Sequence, residues 1–320
     1  MTPCERLLAA LRLEQPDRVP YFEYAIDDRV IEALHGRRLD RKEVCRFYDV
    51  CDLEFWKKPP VYAESRHSEI GRDYVGAGLI RSRDDWRKIR LPEPVTREQI
   101  DAARQLVAAK DELAAGLVIS LSADPTLMSL GYEGFGLAVY DDPALIEEML
   151  DGYTRWTLKV LEAFQEIDFD FVLCGDDLAF KTAPFFSPET FRRILLPHMR
   201  RVARAIERPW IQHSDGNLLP IFEDFLSLGM NGLHPIEPEA MDIFQLKRDY
   251  GRRLCLCGNI DVNILSLGTP EAVRAEVRRK VPILMKGGGY VAASSTSITE
   301  YVKPENFAAM IDELRACGGY

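Results

Sequence analysis

Histidine is scarce in this chain of 320 residues, five in all, and two of the five stand in short motifs with acids close behind. One motif is His213-Ser214-Asp215-Gly216 and the other is His234-Pro235-Ile236-Glu237. Gly175-Asp176-Asp177 adds two carboxylates, and Asn259-Ile260-Asp261 adds an amide and an acid. Imidazole nitrogen with carboxylate oxygen is a donor set that holds zinc and other divalent metals. His213 and Asp215, one residue apart at a strand end, can present both side chains to one side, and Asp177 is the third candidate ligand. Without a metal, Asp177 and His213 would work as acid and base, and Asn259 is the third catalytic candidate. A plainer alternative has both histidines capping strand ends through hydrogen bonds to backbone and carboxylates.

Such groups need a scaffold that gathers strand ends. Eight apolar, β-rich runs can be counted, at residues 19–24, 51–55, 116–121, 169–174, 209–213, 230–234, 254–258 and 289–293. Between them lie helical patterns with explicit starts: Thr96 with Gln99, Asp142-Pro143, Ser187-Pro188 and Thr269-Pro270. The helix from Pro143 carries Leu145, Met149, Tyr153, Trp156, Val160 and Phe164 on one stripe. Eight strands alternating with helices in this length predict an α/β protein, a (β/α)8 TIM barrel. A doubly wound sheet is the alternative, disfavoured because no Gly-x-Gly-x-x-Gly follows the first strand. The expected organisation is one domain over residues 1–320, with a helical lead over 1–18 opened by Thr2-Pro3-Cys4-Glu5, and a loop or hairpin excursion over 57–82.

In a barrel of this kind the chemistry sits where strands end and βα loops begin. The polar residues there extend the site to Glu23, His234, Glu237 and Asp261 as candidate substrate contacts, and Tyr21 and Met128 are further candidates for lining a pocket. Lys286-Gly287-Gly288-Gly289 precedes its strand, which favours a turn on the opposite face over a phosphate cradle.

Composition narrows the partners. Lys and Arg number 41 against 51 Asp and Glu, a formal charge of −10, which repels nucleic acid and anionic membrane surfaces. Hydrophobic residues at 47% are enough for a sizeable core and exclude disorder. No apolar run reaches membrane-span or signal-peptide length, so a cytoplasmic protein is expected. Seven cysteines without a Cys-x-x-Cys are read as thiols; Cys255 and Cys257 share a strand face but lack further sulfur partners. The arginines at 192, 193, 200, 201 and 204 form either a solvated helix face or a docking patch for an acidic partner.

Several of these stretches resemble the uroporphyrinogen decarboxylase superfamily, in particular its cobalamin-dependent methyltransferase-like branch. The resemblance is carried by Arg6-Leu7-Leu8-Ala9-Ala10-Leu11 through Pro16-Asp17-Arg18-Val19-Pro20, and by Gly175-Asp176-Asp177-Leu178-Ala179 with Pro184-Phe185-Phe186-Ser187-Pro188-Glu189. It continues in His213-Ser214-Asp215-Gly216-Asn217, Gly232-Leu233-His234-Pro235-Ile236-Glu237-Pro238 and Gly258-Asn259-Ile260-Asp261. It spans nearly the whole chain and implies a (β/α)8 barrel. The Arg-Gln-Ala-Gly-Arg signature that binds substrate carboxylates in the porphyrinogen decarboxylases is absent, as is their late Gly-His-Gly. Acids at Glu23 and Asp27 stand where arginines would be, so a polycarboxylate tetrapyrrole is disfavoured.

The methyltransferase branch uses zinc bound by His-x-Cys and a distant Cys. Here His213 matches, Asp215 replaces the first cysteine, and the distant one falls near Ser295 or Thr296. Zinc on oxygen donors is harder and more Lewis acidic, which suits polarising an ether or amine leaving group. Demethylating relatives show another pattern, Glu-x14-Glu-x20-His, which the resemblance maps onto Glu162, Asp177 and His198. The implied function is methyl transfer from a small substrate, such as an aryl methyl ether or methylamine, to a corrinoid held by a separate protein, since no Asp-x-His-x-x-Gly is present. A homodimer is compatible with this. The competing expectations are a metal-independent decarboxylase or lyase on a smaller carboxylated substrate, and a non-catalytic binding module that keeps the barrel.

Overall fold

Seven of the eight apolar runs become parallel strands. The computed structural model describes residues 1–67 and 73–320. In chain order the strands are β1 (Asp52–Trp56), β2 (Ala63–His67), β3 (Asp73–Gly78), β4 (Ala114–Ile119), β5 (Phe171–Gly175), β6 (Trp210–His213), β7 (Gly232–His234), β8 (Cys255–Cys257) and β9 (Tyr290–Val291). One sheet runs β1-β4-β5-β6-β7-β8-β9, all parallel. The other two strands, β2 and β3, pair antiparallel between β1 and the helix Arg83–Lys88.

The eighth run, residues 19–24, forms no regular strand and still closes the barrel. Tyr21 bridges Val50 on one side and Ala292 on the other, both parallel. Backbone hydrogen bonds at 2.9 Å run from Phe22 N–H to Ala292 O, from Ala292 N–H to Pro20 O and from Cys51 N–H to Tyr21 O. Pro20 has no N–H to donate, so a continuous ladder cannot form there.

Period-two alternation separates two cores. Phe22, Val118, Phe171, Leu173, Ile211, Cys255, Cys257 and Val291 pack inside the barrel. Leu117, Ile119 and Val172 face outward onto helices such as Pro143–Phe164, which buries the stripe predicted for it. Each large apolar side chain so buried contributes about 1.5–3 kcal/mol.

Helix starts follow the capping chemistry at Thr2, Thr96, Ser187 and Thr269, whose hydroxyls accept backbone N–H bonds. Asp142 departs from expectation: its carboxylate takes Arg83 at 3.0 Å and caps nothing. Gly288, at φ +76, sits where a Cβ would fall 2.3 Å from the Glu14 carbonyl oxygen, so the glycine run is a tight turn against the N-terminal lead. Of the five arginines, Arg192 pairs with Asp224, Arg201 with Asp151, and Arg200 donates to the Ser227 hydroxyl. All seven cysteines are free, and no helix among the described residues is long and apolar enough to cross a membrane.

Candidate metal centre

The parallel register sets the site. His213 ends β6, His234 ends β7, and the two are paired across the sheet. Asp177 lies two residues past β5, and Asp215 two past β6. The Asp215 N–H donates to Asp177 Oδ1 at 3.0 Å, and the Gly216 N–H donates to Glu237 Oε2 at 2.6 Å. Ser214 ties the neighbouring loop down by accepting from the Leu178 N–H at 3.0 Å. One donor atom from each of Asp177, His213 and Asp215 lies within 4.8 Å of the others, the one such grouping among the described residues.

The histidine pair fixes how the ring is presented. His213 Nδ1 is 2.9 Å from His234 Nδ1, so one nitrogen carries the hydrogen and the other accepts it. When His213 donates, its Nε2 lone pair faces Asp177, whose Oδ1 is 3.7 Å away. That is the tautomer a metal ligand needs, oriented by an outer partner. Tyr24 stacks on the His213 ring at 4.1 Å and 10°, and Phe22 meets His234 edge-on at 5.1 Å.

Electrostatics leave the cluster short of positive charge. Burial, followed by the charges of Asp177 and Glu237, pushes the Asp215 carboxyl up to about 8. Burial also raises Asp177 and Glu237. Burial, with Lys58 nearby, lowers His213 to about 3, and burial beside His213 lowers His234. Both imidazoles are therefore neutral at pH 7. Asp215 Oδ1 and His234 Nε2 are buried without a hydrogen-bond partner. A divalent cation among Asp177, His213 and Asp215 would supply the charge these carboxylates lack, with three protein ligands and an open fourth position. The residues fit such an ion.

Other predicted site residues lie elsewhere. Glu23 is fully buried, accepting from the Ser294 hydroxyl at 2.5 Å, the Ser294 N–H at 3.1 Å and the Tyr21 hydroxyl at 2.8 Å. Neither Tyr21 nor Glu23 opens to the mouth, because they occupy the alternate face from Phe22 and Tyr24. Asp261 caps the helix Val262–Leu267 by accepting from the Asn263 N–H at 2.8 Å. Asn259 is buried with its carbonyl held by Lys280 at 2.6 Å, and its Oδ1 has no partner. Met128 borders a cavity of about 1030 Å³ with Tyr132, Leu137 and Leu145, lined by none of the three metal candidates. The alternative set is not brought together: Glu162 is on the outer helix Pro143–Phe164 and His198 on the helix Leu196–Ala203.

Sequence reasoning missed Tyr24, Lys58 and Asp124. Lys58 donates to Asp124 at 2.9 Å. Strict alternation from Phe22 would have found Tyr24. Asp176, beside Asp177, is structural: it accepts from Ser120 Oγ at 2.7 Å and from the N–H groups of Leu121 and Asp124 at 2.6 and 2.9 Å.

Comparison with known proteins agrees with this architecture. The family model for uroporphyrinogen decarboxylase (URO-D) matches residues 74–317. A uroporphyrinogen decarboxylase of Alkalilimnicola ehrlichii is 24% identical over 352 residues, covering 97% of this chain and 93% of that protein. Another, from Thioalkalivibrio sulfidiphilus, is 25% identical with 98% of each covered. Among solved structures, a methyltransferase from Methanosarcina mazei superposes with a TM-score of 0.74 at 20% identity over 99% of both chains. A B12-independent methionine synthase from a Shewanella species gives 0.56 at 9% identity. At these identities the structural likenesses establish the fold, a TIM barrel of the uroporphyrinogen decarboxylase type.

Proposed function

Because the chain belongs to the uroporphyrinogen decarboxylase family, we propose that it is a methyltransferase, moving a methyl group from a small methylated substrate to a corrinoid on a separate protein. The observation that carries this reading is the convergence of Asp177, His213 and Asp215 at the barrel mouth. These three would hold zinc, and a bound zinc would act as a Lewis acid that withdraws charge from the leaving heteroatom. His234 holds the His213 ring, and the Asp215 N–H holds Asp177, so the donors are positioned before any ligand arrives. Tyr24 covers one face of His213 and keeps water off it.

The acidic mouth also speaks against the large polycarboxylate substrate that the relatives' name denotes. The test is metal analysis of purified protein together with methylation of cob(I)alamin by candidate ethers and methylamines. Zinc at one equivalent and a transfer lost in His213→Ala are expected; metal-free protein that transfers equally well would overturn the zinc role. A second reading, decarboxylation of a smaller carboxylated substrate, draws on the name of the relatives and on the raised Asp215 carboxyl beside a neutral imidazole. Carbon dioxide release without any corrinoid would select it.

A further inference from the structure

Away from the acids of the mouth, the outside of the barrel reverses the sign of the chain. A cavity of about 850 Å³ lies between the helices Ile243–Tyr250 and Pro270–Leu284, bordered by Gly251 and Gly287 in the turns that lead into β8 and β9. Those turns precede their strands, at the opposite end of the barrel from Asp177, His213 and Asp215. Five cations line the cavity, Lys247, Arg248, Arg252, Arg279 and Lys286, against one carboxylate, Asp242. In a chain of formal charge −10 this is a concentrated positive patch. Asp242 is occupied at the helix start, accepting from the N–H groups of Phe244 and Gln245 at 2.8 and 3.2 Å. Lys247 holds the carbonyl oxygens of Gly288 and Gly289, and Arg279 pairs with Glu276 at 2.7 Å. Arg248 donates to the neutral amide oxygen of Gln245. Arg252 and Lys286, both exposed, have no hydrogen-bond or ion-pair partner among the described residues. The wall between these charges is apolar: the Arg279 guanidinium lies 5.7 Å from the Phe244 ring centroid, and Ile283 is 50% exposed. At Gly287 a Cβ would meet nothing within 4 Å, so the turn borders open space.

We propose that this cavity binds a mononucleotide carrying two or more phosphates. Arg248, Arg252 and Lys286 offer N–H donors with no acid paired to them, and phosphate oxygens are the acceptors that guanidinium and ammonium groups bind most strongly. One small anion would leave charge over; a di- or triphosphate spreads its own across all three. The Arg279–Phe244 pair and Ile283 supply a flat apolar wall on which a base can stack. The last turns of the two helices carry partial negative charge of about half an elementary unit each, which suits one cation and not five. The volume is that of a small-molecule site. A nucleic-acid strand would run out of the cavity onto a surface of net negative charge, which repels it. The glycine turn acts here through the Lys286 side chain, while its backbone packs on the N-terminal lead. The proposal is independent of the metal centre and of methyl transfer.

The experiment is calorimetry of the full chain with ADP, adenosine and pyrophosphate at about 0.15 M salt, where exposed charges are screened beyond about 8 Å. Wild-type protein is expected to bind ADP at least about tenfold more tightly than adenosine and severalfold more tightly than pyrophosphate. The double change Arg252→Gln with Lys286→Gln removes two exposed, unpartnered charges. It should leave the thermal unfolding midpoint as in wild type and weaken ADP by at least about tenfold. Phe244→Leu should weaken ADP severalfold and leave pyrophosphate unchanged. His213→Ala, at the other end of the barrel, should bind ADP like wild type, which separates this cavity from a phosphate seated on a metal at the mouth. No measurable ADP binding, adenosine or pyrophosphate bound as tightly as ADP, or ADP affinity untouched by the double change would each overturn the proposal. So would loss of ADP binding in His213→Ala.

Discussion

Two acidic sites lie at strand ends in this barrel, a lone glutamate at the seam and three acids at the mouth, and they are built on opposite plans. At the seam between the first and last strands, Glu23 is fully buried and each oxygen is occupied, by Ser294 and Tyr21. At the mouth, Asp215 is mostly buried with Oδ1 unpaired, facing Asp177 and Glu237. Burial raises both carboxyls, Glu23 to about 7 and Asp215 to about 8; the bonds from Ser294 and Tyr21 pull against that rise at Glu23, and nothing bonds to Asp215 Oδ1. Burial alone does not separate the two; the count of partners does.

The comparison can be broken most forcefully at the seam. Glu23→Ala should cost about 3–5 kcal/mol in denaturant unfolding, because it strands three donors and opens a cavity. A variant as stable as wild type would remove the contrast. Asp215→Ala is expected to do the reverse, leaving the unfolding midpoint unchanged or slightly higher while weakening zinc binding by more than about a hundredfold. Competition with a chelating dye measures the second quantity.

Next in size is the histidine pair. His234→Leu removes the acceptor for His213 Nδ1–H and should weaken zinc by about tenfold to a hundredfold, whereas His234→Gln keeps an acceptor and should largely restore it. Smaller again is the response to pH. Because the Asp215 carboxyl is pushed up to about 8, protons compete with the metal below that value. Zinc affinity should therefore rise by up to about tenfold per pH unit towards pH 8, then level off, and Asp215→Asn should flatten this slope. The smallest expected effect is none: His198→Ala and Glu162→Gln should bind zinc like wild type, and a loss in either would restore the alternative ligand set.

Seven of the strands and the strand-end acids were legible because period-two apolar runs and helix start signals are local. The eighth run shows the limit. Its apolar residues announce a strand, but Pro20 removes a ladder donor, and closure comes from bridges to Val50 and Ala292 that no local pattern contains. Position at a strand end puts Glu23 among the expected substrate contacts and Tyr21 among the pocket lining; both are buried, bonded to each other, and Glu23 also to Ser294. Tyr24, one position on, received the site instead. Asp177, His213 and Asp215 come together because β5 and β6 are neighbours in register; their types were readable in the chain, but their distances were not. Lys58 was unreadable for a similar reason, since its partner Asp124 lies beyond the β2–β3 hairpin and a further strand.

The bond between Glu23 and Ser294 joins groups 271 residues apart, and that separation has a consequence for how the molecule is made. Loop closure over such a span cannot begin until nearly the whole polypeptide has left the ribosome, so the first segment, which meets Val50 and Cys51 early, has its other side open until the last strand arrives. The acids of the mouth are all synthesised before this clasp can shut. A nascent chain would thus carry Asp177, His213 and Asp215 long before it holds them at a fixed distance, and any ion captured early would meet a loose chelator before it meets an ordered cluster.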